Sequence, residues 1–410
     1  MRSKIVSNSI HLLLLQILTY VLPLVTTPYL IRVLGVDNYG QIMLAMSAIV
    51  YVNIITDYGF KLTATKQISQ CGRGEISKLS DIFSRVIYAK VFINFICFII
   101  YFSILIMFDI EREIRNIFLL AYGMTISQLL LPVWFFQGIQ EMKYISIFNG
   151  MSKLFYTLCI FLFLNSEDDT VLVPLINSSI SIIFSLLSVV FAFRKYNLFI
   201  CPFSFTKLKD SLFDGWYIFL QQLYSSLYGP INVLLLGYFT TNTIVGTFSI
   251  AQTLVSIPGM VVIVVGQAIY PHMSKLYTSD KVGYFCFLKK IAIAIIAYSI
   301  LSTVMVYFIG SYAIEIFVGE PESNVNEILD VLLLGLLFSS FSQLITQVYV
   351  TTGKERVLSK ISFFVMVCSL ILSPFTIYNF GVIGLSIYIV LRQSIVFFLS
   401  LFFLRKVINE

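Results

Sequence analysis

The chain has 410 residues, 58% of them hydrophobic and 12% charged, with a formal charge of +6 and a mean hydropathy of +0.92. Soluble domains carry about 25% charged residues, so this chain lacks the polar surface needed to cover a core in water. These values exclude a soluble enzyme, a disulfide-stapled secreted scaffold and a disordered chain, and the bilayer is the expected solvent.

A membrane-crossing helix needs ~20 mostly apolar residues. Twelve such segments are predicted in order. The first six cover residues 11–31, 41–60, 87–108, 114–136, 144–164 and 171–193. The second six cover 212–238, 244–270, 290–309, 328–350, 358–378 and 382–404. The unbroken runs, such as 93–108, argue against a transmembrane β-barrel, whose strands alternate apolar and polar residues. Arg2 and Lys4 precede an apolar run of spanning length that holds Pro23 and Pro28 and has no small-residue cleavage site, so it reads as a first span and not as a signal peptide. The loops are too short to fold as soluble domains.

Charge sets the expected orientation. With the N-terminus inside, 21 of the 27 basic residues fall on the cytoplasmic side, three (Arg32, Arg112 and Arg115) outside, and three (Lys90, Lys153 and Arg392) within spans. This bias follows the positive-inside rule. It puts both termini in the cytoplasm and makes the basic excess a matter of topology, with no nucleic-acid partner expected. Glu167, Asp168 and Asp169, and Glu320, Glu322 and Glu327, fall outside as solvated loop surface. The six cysteines have no metal-ligand spacing and read as structural. Trp134 and Trp216 read as interface anchors.

Twelve spans divide as six plus six, residues 1–200 and 201–410. Because six is even, the two halves run in the same sense, as in a parallel repeat. Span one carries Gln16 and then Pro23; span seven carries Gln222 and then Pro230. A proline inside a helix frees a backbone carbonyl, and in lipid such a break survives only against protein or a watery cavity. Pro23, Pro230 and Gln222 are therefore candidates for cavity lining or gating.

Ionisable groups deep in spans are the sharper signal. Lys153 lies nine residues past Tyr144, about 13 Å into a ~30 Å core. Arg392 sits midway between residues 382 and 404. No acid stands at the depth of either, and intramembrane charge points to function. Both are candidates to bind an anionic substrate, with Lys90 a lesser one, since it is close enough to the cytoplasmic surface to snorkel. Asp57 is read as a local ion pair with Lys61 one turn on, and it joins the cavity-lining or gating candidates. No nucleotide-binding loop, hydrolase motif or metal cluster is present in the sequence, so neither an enzyme nor a cofactor is expected.

Four stretches carry a family resemblance: Pro28 to Gly40 (PYLIRVLGVDNYG), Trp134 to Tyr144 (WFFQGIQEMKY), Ala268 to Lys275 (AIYPHMSK) and Val348 to Lys354 (VYVTTGK). Spread in order along the chain, they resemble the O-antigen flippases of the polysaccharide transporter family, within the multidrug/oligosaccharidyl-lipid/polysaccharide exporter superfamily. The resemblance implies an all-α membrane protein with two six-helix lobes around a central cavity. It also implies export of an undecaprenyl-diphosphate-linked oligosaccharide across the cytoplasmic (inner) membrane by alternating access, coupled to protons or sodium. A polysaccharide polymerase and a chain-length regulator are the implied partners. On this reading the diphosphate meets Arg392 and Lys153, and Arg32, which matches the first stretch at an outer helix end, either serves a turn or gate or contacts substrate. A multidrug exporter of the same superfamily is one alternative. A membrane-embedded polysaccharide polymerase is another, though it calls for a larger outer loop than residues 310–327 supply.

Overall fold

The computed structural model describes residues 2–72, 75–108, 110–226, 229–319 and 323–409. Arg73, Glu320 and Glu322, which the sequence assigns to loops, lie outside them. Within these residues the protein is helical, with no β-strand. Nine helical stretches are long and apolar enough to cross a membrane, so the chain is a multi-pass membrane protein.

The longest helices are α1 (Arg2–Asp57) and α14 (Glu355–Asn409). Straight, each would run more than ~80 Å, far beyond a ~30 Å hydrocarbon core. Each is broken by a glycine with non-helical backbone: Gly35 at φ 79°, ψ 165° and Gly381 at φ 60°, ψ −149°. A positive φ is strained for any residue with a Cβ, so these two glycines locate the breaks.

Two segments differ from the sequence expectation of single spans. The segment 114–136 is divided into α4 (Arg112–Ala121), α5 (Gly123–Leu130) and α6 (Val133–Gly138). Pro132 explains the second division: it forces Leu131 into extended backbone, at ψ 110°. The segment 212–238 is divided into α9 (Phe205–Ser226) and α10 (Pro230–Phe239). Pro230 therefore opens a helix at its first position, where its missing N–H costs nothing, whereas Pro23 lies inside α1. The prolines expected to match one another occupy different helical contexts.

The chain forms two compact units. The first is Met1–Leu34 with Gln41–Ser226; the second is Gly35–Gly40 with Leu227–Glu410. In the first, α2 (Phe60–Ser69) packs on α6, α3 (Ile76–Met107) on α5 and α9, and α8 (Leu172–Tyr196) on α4, α5 and α7 (Lys143–Phe163). In the second, α13 (Ser323–Thr351) is the hub, touching α11 (Asn242–Ser279), α12 (Lys281–Val318) and α14. Gly35–Gly40 is embedded there: a Cβ on Gly40 would overlap the carbonyl of Asn242, and one on Gly246 would overlap that of Val36. The Thr243 hydroxyl donates to Asp37 Oδ1 at 2.8 Å.

Side-chain placement follows lipid, not water. Helix α3 exposes Phe92, Phe95, Ile96, Ile99 and Phe102 and buries Lys90, Asn94 and Tyr101. In α12, Leu301, Met305 and Phe308 face out while Ser299 and Ser302 are buried. Apolar surface gains nothing by leaving hydrocarbon, so packing falls to small and hydrogen-bonding residues. Trp134 corrects the sequence reading. It is 1% exposed, packed on Phe83 and Phe135, and so is a core residue and not an interface anchor. Trp216 is exposed, and all six cysteines are unpaired.

Candidate functional site

Helix α7 carries a polar stripe. Asn149, Ser152, Lys153, Tyr156 and Thr157 recur at intervals of three and four residues, which places them on one face. That face does not meet lipid. It lines a cavity of about 300 Å³ within the first unit. Helix α1 adds Leu22, Pro23, Thr26 and Asn53 to the wall. Helix α5 adds Met124, Ser127 and Gln128, again one face, followed by Leu131 at the break before Pro132. Helix α8 closes the wall with Asn177 and Ser181, one turn apart. The Ser181 hydroxyl donates to Asn177 Oδ1 at 3.4 Å and accepts from Ser152 at 3.5 Å, linking α7 to α8.

Lys153 is the one cation in this wall, and no carboxylate lines it among the described residues. Two buried oxygens of the wall, Asn53 Oδ1 and Thr157 Oγ, have no hydrogen-bond partner among the described residues. Such atoms are expensive in a protein interior. The wall thus offers a positive charge and several amides and hydroxyls that both donate and accept.

A set of buried polar contacts joins the end of α1 to α3 and α5. Lys90 Nζ donates to Asp57 Oδ1 at 3.0 Å, and the two side chains are 2% and 9% exposed. Four residues on along α3, Asn94 Nδ2 donates to Thr56 Oγ at 3.2 Å and to Thr125 Oγ at 3.1 Å. The Tyr122 hydroxyl donates to the Asn94 carbonyl at 2.8 Å. Two sequence expectations are corrected here. Asp57 pairs with Lys90, 33 residues away, and not with Lys61, which is exposed. Lys90 does not snorkel: α3 turns it inward onto a carboxylate, so its charge is spent inside the protein and cannot serve as a free anion ligand in this conformation.

The other expected residues are scattered. Pro23 and Lys153 share the cavity wall. Arg32 is exposed, one turn before Gly35. Gln222 is half-buried on α9 in the first unit, whereas Pro230 belongs to the second. Arg392 is half-buried on α14 and is not without a partner, contrary to the expectation of an unpaired cation. One turn before it, Tyr388 donates its hydroxyl to Ser369 Oγ at 2.8 Å. Asn53, Gln128, Asn149, Thr157 and Asn177 were missed. The signal was available for most of them, since the period of the α7 stripe and the paired spacings of 127/128 and 177/181 are visible in the sequence.

A second fixed cluster holds the turn after α6. Lys195 donates to Glu141 Oε2 at 3.0 Å and to the Tyr144 hydroxyl, and its ammonium lies 4.1 Å from the Tyr144 ring centre. Partial burial works against ionisation of Glu141, but the hydrogen bond and charge of Lys195 prevail and hold its carboxyl below the usual range.

The described residues thus form a multi-pass helical bundle with a polar, singly cationic cavity in the first unit. The chain belongs to the polysaccharide biosynthesis protein family, whose model matches residues 5–277. It is 27% identical to a protein of Escherichia coli (strain K12) named "Putative O-antigen transporter", over 97% of this chain and 96% of that one. A protein of the same name from Shigella dysenteriae is 26% identical over 98% of this chain and 99% of its own. Among solved structures, the lipid II flippase MurJ in an inward closed conformation matches 98% of this chain and 87% of its own, with a TM-score of 0.71 at 14% identity. That likeness is one of fold.

Proposed function

We propose that this protein is a flippase for a lipid-linked glycan, moving an oligosaccharide repeat unit on undecaprenyl diphosphate across the cytoplasmic membrane. The observation that carries the reading is the cavity of the first unit, with amides, hydroxyls and one ammonium and no lining carboxylate among the described residues. Near-full-length similarity to proteins named for O-antigen transport supports it. The polyprenyl tail stays in hydrocarbon while a wet cavity shelters the head. Transport proceeds by alternating access of two helical lobes, with both termini cytoplasmic and the inner membrane as the site of action. Arg392 and Lys153 attract the anionic head of the substrate; Lys90, held by Asp57, supports the fold instead. A proton or sodium gradient drives the cycle, and a polymerase and chain-length regulator receive the product.

An exporter of cationic drugs is the competing reading, and it calls for acids where this cavity has a lysine. Deleting the gene in its host tests the choice. Loss of surface glycan, with single lipid-linked repeat units accumulating in the cytoplasmic leaflet, is the expected result. Normal surface glycan in a strain without another flippase refutes it.

A further inference from the structure

A second cavity of the first unit opens at the start of α3 and shares no lining residue with the one at Lys153. One wall is a stripe of α3 at helical spacing: Ser77, Asp81 and Arg85. The other is the extended linker between α8 and α9, with Phe199 and Phe203, followed by Lys207 in the first turn of α9. The neighbouring stripe of α3 fixes that linker. Ser80 Oγ accepts from the Phe199 amide at 3.2 Å and Ser84 Oγ from the Cys201 amide at 2.9 Å, while the Tyr88 hydroxyl donates to the Cys201 carbonyl at 2.9 Å.

The guanidinium of Arg85 is only partly used. Its Nε is buried and lies 3.2 Å from Asp81 Oδ2, without the alignment of a hydrogen bond. Its terminal Nη1 and Nη2 have no hydrogen-bond partner among the described residues, yet neither is sealed off as Nε is. Asp81 Oδ1 also takes Lys207 Nζ at 2.6 Å, and Lys78 on the cavity wall pairs with Glu75 at 3.0 Å. Three cations against two carboxylates leave a positive balance. An open guanidinium fork matches a phosphate, and α9 begins at this wall with the helix end that favours negative charge. The border is apolar: Phe199, Ile200, Phe203 and Phe205 are each half exposed or more. A free phosphate gains nothing from them, whereas a lipid is held at both its head and its chains. Arg85 stands two residues before the span predicted at 87–108, which is headgroup depth.

We propose that this cavity is a lipid-phosphate site: Arg85 grips the phosphate of a membrane lipid whose chains lie along the linker phenyl groups. On the orientation that charge predicts, it serves the cytoplasmic leaflet. The site itself does not rest on the flippase reading. The phosphate has two sources, an anionic phospholipid of the bulk membrane or the diphosphate of a polyprenyl lipid.

The test titrates lipid onto the purified full chain in detergent and counts bound molecules by native mass spectrometry. The probes are phosphatidylglycerol and undecaprenyl diphosphate, each alone. Arg85→Gln should weaken binding of at least one of them by about tenfold or more, the value of a charge-assisted bidentate contact. Arg85→Lys keeps the charge beside Asp81 and loses the fork, so it should recover only part of that affinity; it decides the question where Arg85→Gln does not fold. Arg112→Gln, at an exposed arginine opening α4, controls for net charge and should stay within about twofold of wild type. A loss confined to phosphatidylglycerol assigns bulk phospholipid, a loss confined to undecaprenyl diphosphate assigns the polyprenyl lipid, and a loss on both assigns a site open to either. Unchanged binding of both lipids in Arg85→Gln, wild-type binding in Arg85→Lys, or an equal loss in Arg112→Gln overturns the proposal. Displacement of the bound lipid by an equal concentration of inorganic phosphate overturns it too, since the linker phenyl groups would then contribute nothing.

Discussion

Breaking the Asp57–Lys90 pair on one side should be far worse than removing it whole. Both side chains are buried, at 9% and 2% exposure, and 3.0 Å apart. Lys90→Met leaves the Asp57 carboxylate in a low-dielectric interior with no counter-charge, a situation that costs ~3–5 kcal/mol. At roughly 2–4 °C per kcal/mol for a unit of about this size, the midpoint should fall by ~6–20 °C. The double change Asp57→Leu with Lys90→Met removes both charges and fills the space with apolar groups, which is often neutral or stabilising. It should return to within ~1 kcal/mol of wild type. The Asn94 network, bonded to Thr56, Thr125 and Tyr122, makes no use of either charge and survives both changes. Thermal unfolding of the detergent-purified protein, followed by intrinsic fluorescence, provides the assay, with export in the deletion host as second readout. If Lys90→Met alone stays within ~1 kcal/mol of wild type, or the double variant is as unstable as the single, the charge-pair argument is wrong. If the double variant is stable but cannot export, the pair has a transport role that the static geometry does not express.

Thr157→Val should raise the thermal midpoint, since it removes a buried hydroxyl without a partner among the described residues, a group whose burial costs ~1–3 kcal/mol; a lowered midpoint refutes the assignment. Gly40→Ala should lower the yield of folded protein by size-exclusion chromatography, because its Cβ would run into the backbone of Asn242, which has no flexible end to yield. Glu141→Gln should cost no more than ~1 kcal/mol for a partly exposed pair. The Glu141 carboxyl is held below its ordinary value, so its contribution is complete at neutral pH and is lost as pH falls through and below the usual carboxylate range. The pH dependence of the unfolding midpoint, wild type minus Glu141→Gln, checks this. At equal protein level, Arg392→Ala should reduce surface glycan more than the Asp57→Leu, Lys90→Met double change does; equal export by the two refutes the anion-binding role of Arg392.

The helical class was legible because composition alone names the solvent, and spans show as apolar runs. The breaks at Pro132 and Pro230 were legible only as prolines. Whether a proline kinks a helix, as an interior residue, or begins one depends on neighbours the local sequence does not specify. The cavity was half legible. Lys153 stands out as a charge, and its stripe mates at 149, 152, 156 and 157 share its face by simple period. What hid them was polarity without charge, since a serine or asparagine in a span is common enough to pass unremarked. The Asp57–Lys90 pair could not be read at all. The nearest opposite charge along the helix was Lys61, and only the packing of α3 beside the end of α1 makes a partner 33 residues away the closer one. Trp134 failed for a related reason: position along a span was taken for exposure, and the folding of α6 onto α2 buried it.

The segment Gly35–Gly40, which opens at the break in α1, belongs to the second unit although it is made with the first. Its partners at Asn242, Thr243 and Gly246 emerge from the ribosome about 200 residues later. At ~5–20 residues per second, that is a wait of roughly 10–40 s. Throughout that interval Gly40 and Asp37 lack these α11 partners, and the second unit, when it arrives, closes around a piece of chain already committed to the membrane. Assembly is therefore ordered in time. A polypeptide starting after this segment would meet its own α11 with a slot unfilled, and a nascent chain stalled before α11 would carry a segment whose α11 partners have yet to be synthesised.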